Sequence, residues 1–292
     1  IYNSTISNNS ATSGAGRGGA IDSTGAGSII ITNSTLSGNT ALVGGALDNR
    51  TTTTISKSTI KGNTATSYGG GDIIQSASTV TLTIDKSTIS DNSAARDGGG
   101  LSANIGTVYI TNSTISGNRS GTTTTNFVVC CRGGGIYVGS VPSNNTSSVI
   151  LSHDTPIVTL RNSTITSNTA LSQSGNAGQG GGIYGNATIS NTIIAGNVAS
   201  TGPDHNYGYL TSQGHNLLGS SSGTNPLSGS GDKNGVSANL GTLQNNHGPT
   251  FTHPLLGGSP AIDAGNPATP GSATNACPNQ DQRGIARPQD GN

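Results

Sequence analysis

Carboxylate chemistry in this chain can come only from aspartate. All 12 acidic side chains are Asp, and Glu is absent. Glycoside hydrolysis needs two carboxyl groups converging on the scissile bond. Here the aspartates stand singly, as at Asp22, Asp48, Asp72, Asp85, Asp91, Asp97 and Asp154. An elimination would need clustered Asp to hold Ca²⁺ and a Lys or Arg base beside it. Lysine occurs only at Lys57, Lys61, Lys86 and Lys233. His153-Asp154 is an adjacent His/Asp pair. It sits in a polar run and reads as an exposed pair rather than a general base with its partner. Cys130, Cys131 and Cys277 match no zinc spacing and read as structural thiols or one disulfide. No catalytic residue, cofactor-binding residue, cofactor or metal ligand is expected from these side chains.

The elements that must carry such residues are strands and turns. Gly occurs 46 times, Met and Trp are absent, and Phe occurs twice. Good helix formers are scarce, while Ile, Val and Thr favour strands. Charged residues make up 8% of the chain, against about 25% in ordinary soluble domains. The net charge is zero, so no basic stripe exists to meet phosphates, and nucleic acid is not an expected partner. No apolar run approaches the ~20 residues of a transmembrane helix. The sequence opens at Ile1 without a targeting segment and is read as a mature or truncated piece.

One block recurs, Asn-Ser-Thr-Ile-Ser-x-Asn-x-Ala. It starts at Asn3, Asn33, Lys57, Lys86, Asn112, Asn162 and Asn191, at intervals of 30, 24, 29, 26, 50 and 29 residues. Three places on stands an aliphatic column: Ile6, Leu36, Ile60, Ile89, Ile115, Ile165 and Ile194. Six places on stands Asn: Asn9, Asn39, Asn63, Asn92, Asn118, Asn168 and Asn197. Ile31, Ile55, Ile84, Ile110, Leu160 and Ile189 lie two places before the block. A Gly-rich step such as Gly133-Gly134-Gly135-Ile136 separates successive blocks. Val80, Leu82 and Ile84 alternate with polar residues, which is the period of a strand. Two or three short strands in a repeat of this length fit one turn of an all-β, right-handed parallel β-helix, a solenoid. The aliphatic columns fill its interior. The Asn column is expected to mark a bend, through left-handed backbone, and to stack as a hydrogen-bonded ladder. Lys57 and Lys86 replace Asn in the turn column, which implies exposure. The Asn-x-Ser/Thr triplets follow the coil period and read as turns rather than glycosylation sites.

Residues 1–200 are expected to form regular coils with an insertion at about 121–157, residues 201–265 degenerate coils, and residues 266–292 an irregular Pro-rich tail; the region from about 201 to 292 could cover the C-terminal opening. The 50-residue interval holds one Gly-rich step, so it reads as one coil with long loops. Over residues 1–199, the Gly-Gly-Ala/Gly-Ile steps and Asn-Ser-Thr-Ile-Ser-x-Asn blocks resemble the β-helix repeats of bacterial polymorphic outer-membrane surface proteins. The end is more specific. Leu243-Gln244-Asn245-Asn246-His247-Gly248-Pro249-Thr250-Phe251-Thr252-His253, then Gly258-Ser259-Pro260-Ala261-Ile262-Asp263-Ala264-Gly265-Asn266, then Asp281-Gln282-Arg283-Gly284-Ile285-Ala286-Arg287-Pro288 closely resembles the choice-of-anchor Q domain of secreted bacterial proteins. That resemblance implies export and a varied anchoring signal further downstream, and the family brings no assigned chemistry. It also implies a second cysteine after the tail as partner for Cys277. Residues 278–292 hold none, so no intrachain bridge to Cys277 is expected.

β-Helices also host pectin-degrading enzymes, so fold alone does not decide function. The Asp-Asp, Asn-Thr-Asp and Gly-His-Gly signatures of polygalacturonases are absent. The leading expectation is an extracellular or cell-surface structural or adhesive protein, not an enzyme, that associates head to tail into fibres. The alternatives are a polysaccharide-degrading lyase or hydrolase, and a module that binds a surface carbohydrate or protein ligand through the 121–157 insertion.

Overall fold

The computed structural model describes residues 1–67, 73–75, 77, 79–122, 131–139, 155–173, 175–222 and 225–287. They form a parallel β-helix, and no helix occurs among them. One coil runs through Ser28–Thr32, Thr35–Ser37, Thr40–Ala41 and Leu47–Asn49. The next runs through Thr52–Ser56, Thr59–Lys61, Thr64–Ala65 and Ile73–Gln75. Four strands per coil exceed the two or three that the spacing suggests, because a two-residue strand after the ladder Asn is too short to show a period. Stacking the coils gives four parallel sheets, named here first to fourth in that order, with seven, nine, six and seven strands.

Register follows the block. On the second sheet Ile6 pairs with Leu36, Leu36 with Ile60, Ile60 with Ile89, Ile89 with Ile115, Ile115 with Ile165 and Ile165 with Ile194. Ile6 is half-buried in the outermost coil, and the others are fully enclosed. Ile31, Ile55, Ile84, Ile110, Leu160 and Ile189 face them from the first sheet, at 0% exposure. The direct pairing of Ile115 with Ile165 makes the 50-residue interval a single coil. Burying each coil's apolar edge under the next is what stabilises such a stack.

The corners differ from expectation. Left-handed backbone falls on the block's first residue, from Asn3 to Asn191, with φ between 47° and 51°. It falls again just before the ladder Asn, as at Asn8, Gly38, Asp91 and Ser167. No ladder Asn adopts it, so the bends belong to the flanking residues and the ladder amides are held for hydrogen bonding instead. The Gly-rich step makes a further corner. Gly133 has φ 61°, and a Cβ on Gly134 would lie 2.4 Å from the Thr169 carbonyl carbon and 2.5 Å from Gly181 O, so only glycine lets these coils close.

Lys233–Asn234 is the last strand. Leu227 closes onto the interior near the last coils. Residues 235–287 then turn back along the outer face of the second sheet, rather than serving only as an end cover. Val236, Leu240 and Ala261 pack on Ile193, Ala195 and Leu217 there.

Candidate functional site

Two polar ladders run along the solenoid. In the first, Asn9, Asn39, Asn63, Asn92, Asn118 and Asn168 each donate Nδ2 to Oδ1 of the next Asn, at 2.9 to 3.1 Å. The same Oδ1 also accepts the backbone N–H of the preceding Asn. From Asn39 onward, Nδ2 makes a second bond to a carbonyl of the preceding coil, such as Asn118 to Ile89 O at 3.0 Å. A rung thus uses its whole amide while fully buried. The ladder ends at Asn197, which donates N and Nδ2 to Asp204 Oδ1 at 3.0 and 2.8 Å.

The second ladder uses the Ser at the block's second position. Backbone N–H groups of Ser4, Ser34, Ser58, Ser87 and Ser113 donate to Oγ of the next Ser at 3.1 to 3.2 Å. Each Oγ donates to the carbonyl two residues before it, as Ser87 does to Asp85 O. Thr192 continues the column onto Asn216 Oδ1, and Asn216 donates N and Nδ2 to Asp232 Oδ1. This ladder is missed by sequence reasoning, although its signal, Ser in almost every block, is plain.

The outer face of the fourth sheet carries the charged and aromatic side chains. Asp48, Ile74, Ser102, Tyr137 and Tyr184 follow one another in register. Arg17 and Arg50 pair with the buried Asp48. Beyond the middle coils, Arg132 grips Asp97 with Nη2 at 2.7 Å and Nε at 3.1 Å, and Arg96 Nε lies 3.3 Å from the same carboxylate. Burial alone would lower the Arg132 pKa, but the hydrogen-bonded Asp97 carboxylate outweighs it and raises it. The guanidinium lies 4.8 Å from the Tyr137 ring centroid and 5.3 Å from that of Tyr184. Burial pushes the Tyr137 phenol up to about 12. Tyr184 stacks on Tyr137 and Tyr207 stacks on Tyr184. The available signal was the pentapeptide Gly-Gly-Gly-Ile-Tyr, present at 133–137 and again at 180–184.

Residues 241–287 form a latch on the second sheet. Gln282, 9% exposed, donates Nε2 to Thr250 Oγ1 at 2.9 Å and to Thr88 Oγ1 at 3.1 Å, and accepts Thr114 Oγ1 at 2.8 Å. Asp281 beside it accepts the backbone N–H of Arg283 and of Ile285 and pairs with the Arg283 side chain. His253 Nδ1 faces Gly241 O at 2.7 Å, and a carbonyl can only accept, so Nε2 of the neutral ring accepts Ser116 Oγ at 2.8 Å. Burial lowers the His253 pKa, opposed by the Gly241 contact. A Ser-His contact is half of a nucleophilic arrangement. Ser116 is 3% exposed, however, and the neighbouring cleft of about 580 Å³ is lined by His253 and Asp204 without it. In that cleft the Asp204 carboxylate already accepts from Asn197 and Ser220. Burial raises its pKa against those hydrogen bonds.

Asp22 and Asp91 are exposed, Asp85 is half-buried, and Asp48 and Asp97 are tied to arginines. The structure does not bring these aspartates together as a pair. Asp72, Asp154, His153 and Cys130 lie outside the described residues, as does most of the 121–157 insertion. Cys131 is buried and disulfide-bonded, and Cys277 is a free, half-buried thiol. Among the described residues no three His, Cys, Asp or Glu gather into a set that could hold a metal ion, and no helix is long and apolar enough to cross a membrane. No protein-family model matches the chain, and no curated protein or solved structure is significantly similar to it.

Proposed function

We propose that the chain is an extracellular or cell-surface scaffold, a rigid solenoid with a structural or adhesive role. The observation that carries this reading is the pair of ladders. They saturate buried polar groups coil after coil and engage Asp204 and Asp232 as their terminal acceptors. Satisfied buried networks rigidify a fold. The resemblance of residues 243–288 to the choice-of-anchor Q domain supports export and attachment at a bacterial surface. End-to-end stacking of such coils between copies would repeat head to tail without closing.

Incubation with pectin and other polyuronides tests the reading. No reducing ends or unsaturated products are expected, and negative-stain images should show slender rods, single or in linear files. Release of either product would overturn it. The competing reading, a polysaccharide-degrading enzyme, draws on the cleft that places Asp204 and His253 on common walls. Under that reading His253→Ala would abolish product release.

A further inference from the structure

We infer that the Tyr207–Tyr209 turn is a stacking platform for a neutral saccharide, a site that goes beyond the scaffold reading and does not depend on it. The chain holds seven Tyr and two Phe in 292 residues, and three of the tyrosines stack at this corner. Tyr137, Tyr184 and Tyr207 form a continuous pile, with centroids 5.6 and 5.1 Å apart and planes within 16° and 7°. Exposure climbs along the pile from 2% at Tyr137 to 9% at Tyr184 and 67% at Tyr207. Arg132 locks the inner end. His205–Asn206 is the terminal strand of the fourth sheet, so no further coil covers Tyr207. Its outer ring face has no ring partner among the described residues. Tyr209, two residues on, is 71% exposed.

The turn is built rather than loose. Tyr207 has φ 63°, a left-handed backbone that a bulky side chain adopts only under strain. The preceding coil holds it there. Gly185 N donates to Tyr207 O at 3.1 Å, Ala187 N donates to Tyr209 O at 3.0 Å, and Asn186 Oδ1 accepts Tyr209 N at 2.7 Å. Gly208 between the rings has φ 82°, and a Cβ there would meet Asn186 Oδ1 at 2.3 Å. A strained backbone that presents an apolar ring to water points to function.

The chemistry favours a sugar. A pyranose offers a flat C–H face that packs on an aromatic ring, and its rim hydroxyls suit a side-chain amide. The exposed Asn186 amide lies at the turn, with its Oδ1 bonded to Tyr209 N and its Nδ2 left as a donor. Arg132, the cation of the pile, is 8% exposed and committed to Asp97, so the pile itself offers no free cation to a uronic acid carboxylate. The exposed aromatic side chains of the turn number two, too few for the core of a protein interface.

Affinity electrophoresis of the full chain through gels containing hydroxyethylcellulose, galactomannan or polygalacturonate tests this. Retardation is expected in at least one of the two neutral gels. Tyr207→Asn should weaken it about ten-fold while the melting temperature holds or rises, because Asn tolerates left-handed backbone. Tyr109→Ala, an exposed tyrosine on another sheet, should bind as the parent does. If Tyr207→Asn does not fold, Tyr209→Ala replaces it, with the same expected loss. Absence of retardation in both neutral gels, retardation only by polygalacturonate, or retardation unchanged in Tyr207→Asn and Tyr209→Ala would overturn the inference. A loss of binding accompanied by a matching loss of stability would also count against it.

Discussion

Thr5 and Ser7 on the second sheet are exposed, while Thr88 and Ser90, three coils along the same columns, are 1% and 3% exposed. Thr114 and Ser116, one coil further, are covered as well. Inside, the two regions are alike: Leu36 and Ile60 in the bare coils are as enclosed as Ile89 and Ile115 in the covered ones. The tail makes the difference. Phe251, His253 and Gln282 dock on hydroxyls that elsewhere face water. In a strand, alternate side chains face opposite ways, so the inward set can specify the coil while the outward set stays open to another use. The same block thus serves as solvent-facing surface at one end and as a binding strip for the chain's own tail at the other.

The largest test of this contrast is a charge in the interior. Ile89→Asp is expected to cost roughly 5 kcal/mol or more and to unfold several coils, because an unpaired carboxylate has no partner there. Ile6→Asp, half-buried in the outermost coil, should cost about 1–2 kcal/mol. Denaturant unfolding compares them, and equal losses would erase the distinction between the regions. A ladder rung comes next. Asn118→Ala strands the Ile89 carbonyl and the Asn92 donors and leaves Asn168 Oδ1 with only the backbone N–H of residue 118, at about 3 kcal/mol in total. The exposed Asn9→Ala should cost less than ~1 kcal/mol.

The latch isolates the covering itself. Gln282→Ala should cost about 2 kcal/mol and free the tail without melting the coils. Trypsin would then cut after Arg283 while the β signal in circular dichroism persists. An uncut tail would show that the apolar contacts of Val236, Leu240 and Ala261 suffice. The smallest effect concerns pH. All described histidines lie between His205 and His253, none in the first coils. Burial holds the His205 pKa below the usual 6.5, opposed by its bond to Gly185 O. The stability tied to neutral His205 is therefore complete above 6.5 and is lost as pH falls toward and through the lower folded value. Melting curves on either side of 6.5 should drift apart, and less so in His205→Leu. A slope of equal size in that variant would place the titrating group elsewhere.

Coil stacking and the aliphatic columns were legible in the sequence because interior positions repeat at fixed offsets from the block. The Asn column was legible as a column but not in its backbone role. Asn is common both in left-handed turns and in amide ladders, and nothing in a single sequence separates Asn8, which bends, from Asn9, which bonds. The tail's docking could not be read, since Gln282 and Thr114 lie 168 residues apart and no periodicity connects them. The tyrosine pile escaped because Tyr207 joins through a strained turn, outside the register that links Tyr137 to Tyr184.

Every rung of the Asn ladder faces the same way, with Nδ2 toward the following coil and Oδ1 toward the preceding one. Aligned amide dipoles add, as peptide dipoles do along a helix. The solenoid is therefore electrically polar along its axis despite a net charge of zero, with the positive pole at the C-terminal coils. Asp204 and Asp232 sit at that pole, where a carboxylate can accept without having to pass a donor onward. They stand to this stack as an anion stands to a helix N-terminus. A rod with such a moment has a preferred heading in any field, and two rods lying flank to flank would gain most by pointing in opposite directions.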